Sequence, residues 1–272
     1  MRIVGVDLAA QAPKTAAVLL TLEDSRVAAE LVPGPLDDDA LVGLAHGVDK
    51  IGIDSPLGWP EGFVAAVTAH HRMGPWPAEA DRLPLRYRLT DLWIHEQLSL
   101  WPQSVSTALL GVVALRGARL QARWASEVWG TPAPRDGSGT LVEVYPAATL
   151  KTWGLPHSGY KGPAGNHLRE RILDAITTAT RTWLDADRIA AACIASDHVL
   201  DALLSAVVAL TAALGLTTPP PENLGHLALR EGWIHIPAGG LEPLADPMRI
   251  MAGPGGFGSR LAPPSTVEGG AP

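Results

Sequence analysis

The chain has 272 residues, 47% hydrophobic and 18% charged, a size and balance that suit a soluble globular protein with one large core. Its single cysteine, Cys193, excludes an intramolecular disulfide and disfavours a thiolate metal site. A net charge of −7 and a pI of about 5.7 argue against a broad electropositive surface that holds duplex nucleic acid by counterion release.

Residues 2–8 form an apolar strand pattern from the outset, without the long apolar run and small-residue cleavage site of a signal peptide, which predicts a cytoplasmic protein. Residues 16–22 and 27–32 read as two further strands joined by the turn-like Glu23-Asp24-Ser25, giving an antiparallel meander. Helical spacing over 36–46, with aspartates in its first turn, precedes a short apolar strand at 50–54 that Ser55-Pro56 stops. The helical crossover makes this strand parallel to the first.

From residue 57 to about 102 the chain is rich in Trp, Pro and Arg with weak periodicity, and the stretch from 57 to about 130 predicts a helical insertion. A stretch over 105–129 that is helical at least in its second half and a polar loop at 135–139 lead to a fifth strand at 140–145, ended by Pro146. Residues 168–184 and 197–214 carry the strongest helical patterns, and 231–237 a short strand or hairpin. Residues 238–272 form a Gly/Pro-rich tail expected to add little core and to be flexible. The longest apolar stretch, 203–216, is too short to span a membrane. This order is that of an RNase H-like α/β fold: a five-stranded mixed sheet with flanking helices, filling residues 1–237. The actin-type ATPases share it.

Asp7 and Asp54 close two apolar strands, Glu143 lies near the end of a third, and Asp197 and Asp201 sit on an apolar helix with His198 between them. Acids are rarely buried unless paired or metal-bound, so these either meet counter-charges or share a cation. Ligands bind beyond the carboxyl ends of parallel strands, where the topology sets Asp7 and Asp54 side by side. Carboxylate and water oxygens suit Mg²⁺ or Mn²⁺.

Asp197 and Asp201 are one helical turn apart, and Asp197 is equally explained as a solvated acid behind a Ser196 N-cap. Glu143 either faces a metal or pairs with Arg88 or Lys161. Arg88 and Asp91 form a simple ion pair or bind a phosphate, and Arg88 and Lys161 are the candidate substrate contacts. Arg82, Arg86, Arg88, Arg116, Arg119 and Arg123 could supply a local basic patch, although such arginines are commonly a solvated face. His70-His71 reads as surface histidines. Trp59, Trp76, Trp93, Trp101 and Trp124 read as packing residues before base-stacking ones.

The segments Gly5-Val6-Asp7-Leu8-Ala9, Gly52-Ile53-Asp54-Ser55-Pro56-Leu57, Arg88-Leu89-Thr90-Asp91, Glu143-Val144-Tyr145-Pro146-Ala147 and Ser196-Asp197-His198-Val199-Leu200-Asp201-Ala202 resemble, in order, motifs of the "domain of unknown function 429" family of predicted RNase H-like nucleases. The resemblance implies a metal-dependent nuclease or phosphodiesterase in which Asp7, Asp54 and Asp201 match the family's acidic positions, with Asp197, His198 or Glu143 in support. The last segment is also similar to the acidic helix of Holliday-junction resolvases, where His198 would match a His or Asp one turn before the final Asp. Two other functions remain in play. One is an actin-type phosphotransferase using Mg-ATP, with Asp136-Gly137-Ser138-Gly139-Thr140 against ATP phosphates; the other is a non-catalytic RNase H-like binding module whose acids are structural and whose Trp-rich insertion binds a partner.

Overall fold

The computed structural model describes residues 1–23, 26–76, 82–107 and 109–245. Three strands open the chain: β1 (Arg2–Asp7), β2 (Ala16–Glu23) and β3 (Arg26–Leu31). Residues 24 and 25 of the expected turn lie outside the described residues. Helix α1 (Asp38–Leu44) starts where the Asp37 carboxylate accepts from the Ala40 N–H at 2.9 Å, with Asp38 and Asp39 at the positive end of the helix dipole. Strand β4 (Lys50–Asp54) follows.

The insertion between β4 and β5 (Leu141–Val144) holds α2 (Glu61–His71), α3 (Arg82–Arg86), α4 (Leu89–Leu98) and α5 (Leu110–Trp124), the last prolonged by a π turn at Ala125–Trp129. Residues 77–81 and 108 of this region lie outside the described residues. Then come α6 (Pro146–Thr152), α7 (Asn166–Thr180), β6 (Leu184–Asp185), α8 (Ala190–Ala195), α9 (Asp197–Ala213), α10 (Gly225–Glu231) and β7 (Ile234–His235).

The sheet has seven strands, in the order β6-β3-β2-β1-β4-β5-β7, and not five. β2 is antiparallel to β1 and β3, while β4 runs parallel to β1, β5 to β4 and β7 to β5. The two further strands, β6 and β7, are two residues long and sit at the edges; β7 falls within the short strand or hairpin read at 231–237, whereas β6 carries no alternation that a sequence pattern could reveal. The helix expected to reach residue 184 ends at Thr180 because Trp183 and Leu184 turn into the β6 edge, where both are buried.

Period-2 alternation divides the core into two layers. Ile3, Val18, Leu20 and Val27 face α7, α8 and α9, whereas Val4, Val6, Ile51 and Ile53 face α1 and α5. In the insertion, Trp124 is buried and Trp93 packs on Trp233 with ring centroids 5.1 Å apart, but Trp76 and Trp101 are exposed. Core packing therefore accounts for only part of the tryptophan set. The start of the Gly/Pro-rich tail also differs from expectation: Leu244 is buried, and its carbonyl accepts from Trp183 Nε1 at 2.5 Å. Residues 246–272 lie outside the described residues. No helix among the described residues is long and apolar enough to cross a membrane.

A candidate metal centre at the strand ends

Two glycines bring the helix and the strands together. Gly5 of β1 and Gly52 of β4 are register partners, and a Cβ on Gly5 would lie 2.1 Å from the Ala202 carbonyl oxygen, one on Gly52 2.1 Å from that of Ser205. Only hydrogen at both positions lets α9 lie this close to the sheet. Two residues further along each strand, on the same face, come Asp7 and Asp54, again register partners. On α9, Asp201 stands one turn before Ser205, so the close approach that the glycines allow carries its carboxylate to the other two.

Asp7, Asp54 and Asp201 each offer a carboxylate oxygen, all within 4.8 Å of one another. Asp201 and Asp7 are buried and Asp54 half-buried. Asp201 accepts from the Tyr160 hydroxyl through Oδ1 at 2.9 Å and from Lys161 Nζ through Oδ2 at 2.8 Å. Asp7 Oδ2 lies 2.6 Å from His198 Nδ1. Asp54 has no hydrogen-bond partner among the described residues.

Burial, with the charge of Asp7 next to it, holds the Asp54 carboxyl well above the ordinary range, and the Lys161 charge only partly offsets this. Burial likewise pushes Asp201 up to about 6 against the pull of Lys161. His198 is raised by its hydrogen bond to Asp7. Burial by itself would lower Lys161, yet the charges of Asp201 and Asp54 hold it above its usual value. Ionising all three carboxylates would put more negative charge here than Lys161 and His198 balance, and three oxygen donors at this spacing can hold a cation.

A family model described as "Protein of unknown function (DUF429)" matches residues 5–224. The chain belongs to this family. No curated protein and no solved structure matches it.

Elsewhere in this DUF429 chain the acids and bases singled out in the sequence take other positions. Asp197 begins α9 half-exposed and stands outside the three-aspartate group; Ser196 occupies the N-cap without a side-chain cap bond. Glu143 is level with Ile53 in the β4–β5 register and therefore faces the insertion side of the sheet, away from Asp7 and Asp54. There it pairs with Arg88: Nη2 donates to Oε1 at 2.7 Å, and Nη1 to Oε2 at 2.8 Å, while the Leu57 N–H reaches Oε2 at 2.9 Å.

Arg88 donates its remaining N–H groups to Asp91, through Nε at 3.2 Å and Nη2 at 2.8 Å, and to the Glu231 carbonyl at 3.2 Å. All five donors are used, and the side chain is buried, so Arg88 has none left for a substrate phosphate. It is an internal strut. The other arginines of the expected basic patch are also largely paired: Arg116 and Arg119 with Asp38, and Arg123 with Asp39 and Glu127. The Arg82 side chain lies outside the described residues. His70 and His71 are exposed, as surface residues should be.

The turn at Asp136–Thr140 lies at the amino-terminal ends of β4 and β5, the opposite end of the sheet from the aspartates. Its carbonyls point inward, with Gly137 and Gly139 accepting from Lys50 Nζ at 3.0 and 2.7 Å and Asp136 bonded to His235 Nε2 at 2.8 Å. A phosphate needs N–H groups there, and one ligand cannot reach both this turn and Asp7 in the manner of the actin-type ATPases. Tyr160 had no sequence signal beyond its place beside Lys161.

Proposed function

We propose that this chain is an RNase H-like, metal-dependent nuclease or phosphodiesterase whose ion is Mg²⁺ or Mn²⁺, held by Asp7, Asp54 and Asp201. The observation that carries the reading is the three-carboxylate group within 4.8 Å, of which Asp54 has no hydrogen-bond partner among the described residues. The sheet order supports the fold assignment: an antiparallel β1–β3 meander, β4 and β5 added in parallel on the other side of β1, and an acidic helix after β5. A bound divalent ion would make a water ligand acidic enough to attack a phosphodiester and would stabilise the leaving oxygen.

The chain's own residues supply the rest. His198, held through Nδ1 by Asp7, leaves Nε2 without a hydrogen bond among the described residues and can accept or return a proton. Lys161, whose side chain is 56% exposed, is the cation best placed to meet a substrate phosphate. Nucleic acid is the substrate class that joins this chemistry to the family resemblance.

One observation favours a non-catalytic module instead: Asp201 and Asp7 already have the partners Lys161 and His198. Incubating the protein with labelled single-stranded, duplex, hybrid and branched nucleic acids, with Mg²⁺ or Mn²⁺, separates the two. Cleavage that Asp7→Asn and chelator both abolish is the expected result. A folded protein that neither cleaves nor changes its melting temperature with metal would leave the module reading standing.

A further inference from the structure

We infer that the Lys161 ammonium serves as the second cation of the three-aspartate site, so that the site takes a single divalent ion and not a pair. The inference rests on the metal reading proposed above. Hydrolysis by two ions needs them about 3.5–4 Å apart, clamped by three or four carboxylates. Here the three carboxylates stand at the lower limit of that range, and half of their oxygens already share their lone pairs: both oxygens of Asp201 and one of Asp7 are engaged by Tyr160, Lys161 and His198, leaving only Asp7 Oδ1 and the two Asp54 oxygens wholly uncommitted among the described residues. The nearest candidate for a fourth carboxylate, Glu143, faces the other side of the sheet and is bound by Arg88.

Charge leads to the same count. With His198 neutral, three ionised aspartates are neutralised by one divalent ion together with one ammonium, whereas two divalent ions beside Lys161 would leave an excess of positive charge next to the buried Asp7 and Asp201, an excess that a protonated His198 would enlarge, at an unfavourable electrostatic cost.

The position of Lys161 is built into the fold. Arg169, buried on α7, donates Nη1 to the carbonyls of Tyr160 and Gly162, the residues on either side of Lys161, at 2.5 and 2.8 Å. Its Nε donates to Ile194 at 2.8 Å and its Nη2 to Ala195 at 3.3 Å and to the Asn166 side chain. One buried guanidinium thus ties the segment that carries Lys161 to the segment that enters α9, the helix of Asp201. The ammonium is set against the aspartates by packed structure, and the exposure of the Lys161 side chain keeps it in reach of a substrate.

The test is a Mn²⁺ titration of the full chain, with free ion followed by electron paramagnetic resonance and heat by calorimetry, on wild type, Lys161→Met, Lys161→Gln and Lys161→Arg. Thermal melting confirms that each is folded; the half-exposed side chain makes loss of fold in all three variants implausible. The expected result is one Mn²⁺ per wild-type chain and per Lys161→Arg chain, with Lys161→Met and Lys161→Gln either taking a second ion or holding the first at least about tenfold more tightly. Two ions on the wild type would overturn the inference, as would neutral variants that match the wild type in both number and affinity. A wild type that binds no Mn²⁺ would overturn the metal reading itself, which is a separate failure.

Discussion

Two groups of buried acids lie on opposite faces of the same sheet and end in opposite electrical states. On the insertion side, Asp91 and Glu143 share Arg88, and every guanidinium donor has a protein acceptor. On the α9 side, Asp7, Asp54 and Asp201 share Lys161 and His198, and Asp54 is left without a hydrogen bond among the described residues. Burial alone does not distinguish a strut from a ligand site. The distinction lies in whether the donors facing the carboxylates are enough to satisfy them, and only the second group falls short.

The saturated group should be the costlier one to break. Replacing Arg88 with Met leaves two carboxylates buried beside β4 and β5 with no cation, and Glu143, which burial already raises above its ordinary value, loses the charge that opposes that rise. Removing one partner of such a network costs about 3–5 kcal/mol. Chemical denaturation should show a loss of that size, and thermal melting a drop of roughly 10 °C for a chain of this length. The bound Mn²⁺ count should be unchanged in whatever fraction remains folded, because Arg88 faces away from the three aspartates. A variant as stable as the wild type would mean that Arg88 is not the strut described here.

The contrast also explains what could be read from the sequence. Asp7 and Asp54 were legible because each ends an apolar run, and the crossover between them leaves only a parallel pairing. Asp201 was legible from its place amid alanines and leucines on a long helix. Glu143 stayed ambiguous because its side depends on register, and a one-residue offset sends it to the other face. Tyr160 and Arg169 were invisible: a loop aromatic and a helix arginine carry no pattern until the chain is folded around them. β6 is too short for any period, although β7 falls within the strand read at 231–237, and Leu244 is buried by a long-range contact with Trp183 in a segment whose composition points to solvent.

The glycines are a signal that was present and passed over. Both strands read Gly-x-Asp, and the same spacing places a gap for α9 and a ligand beside it on one face. Gly5→Ala should therefore harm both stability and site: its Cβ would lie 2.2 Å from the Ala206 backbone nitrogen, and backbone, unlike a side-chain tip, cannot swing away. Overpacking of this kind costs about 1–3 kcal/mol, and the upper end is expected here. Guanidinium melts measure that loss, and a Mn²⁺ titration on the folded variant should show weaker binding as α9 and Asp201 move off. An unchanged metal affinity would mean that the cluster does not depend on the close approach.

The smallest effect should also have the opposite sign. Asp54→Asn removes a charge that its surroundings disfavour, so the metal-free variant should be more stable than the wild type at pH 7, by on the order of 1 kcal/mol. The sign follows from linkage: the Asp54 carboxyl is raised in the folded state, so the folded chain holds a proton that the unfolded chain has already lost, and wild-type stability falls as pH rises from the ordinary carboxylate range through the folded value. The advantage of Asn over Asp should accordingly shrink as the solution is acidified toward pH 4, where Asp54 is itself protonated. Saturating Mn²⁺ should reverse the order at pH 7, because an ion that binds the wild type stabilises it and the variant has lost a ligand. If Asp54→Asn instead destabilises the metal-free protein at pH 7, Asp54 belongs with Asp91 and Glu143 as a satisfied acid, and the two faces of the sheet differ less than their hydrogen bonds indicate.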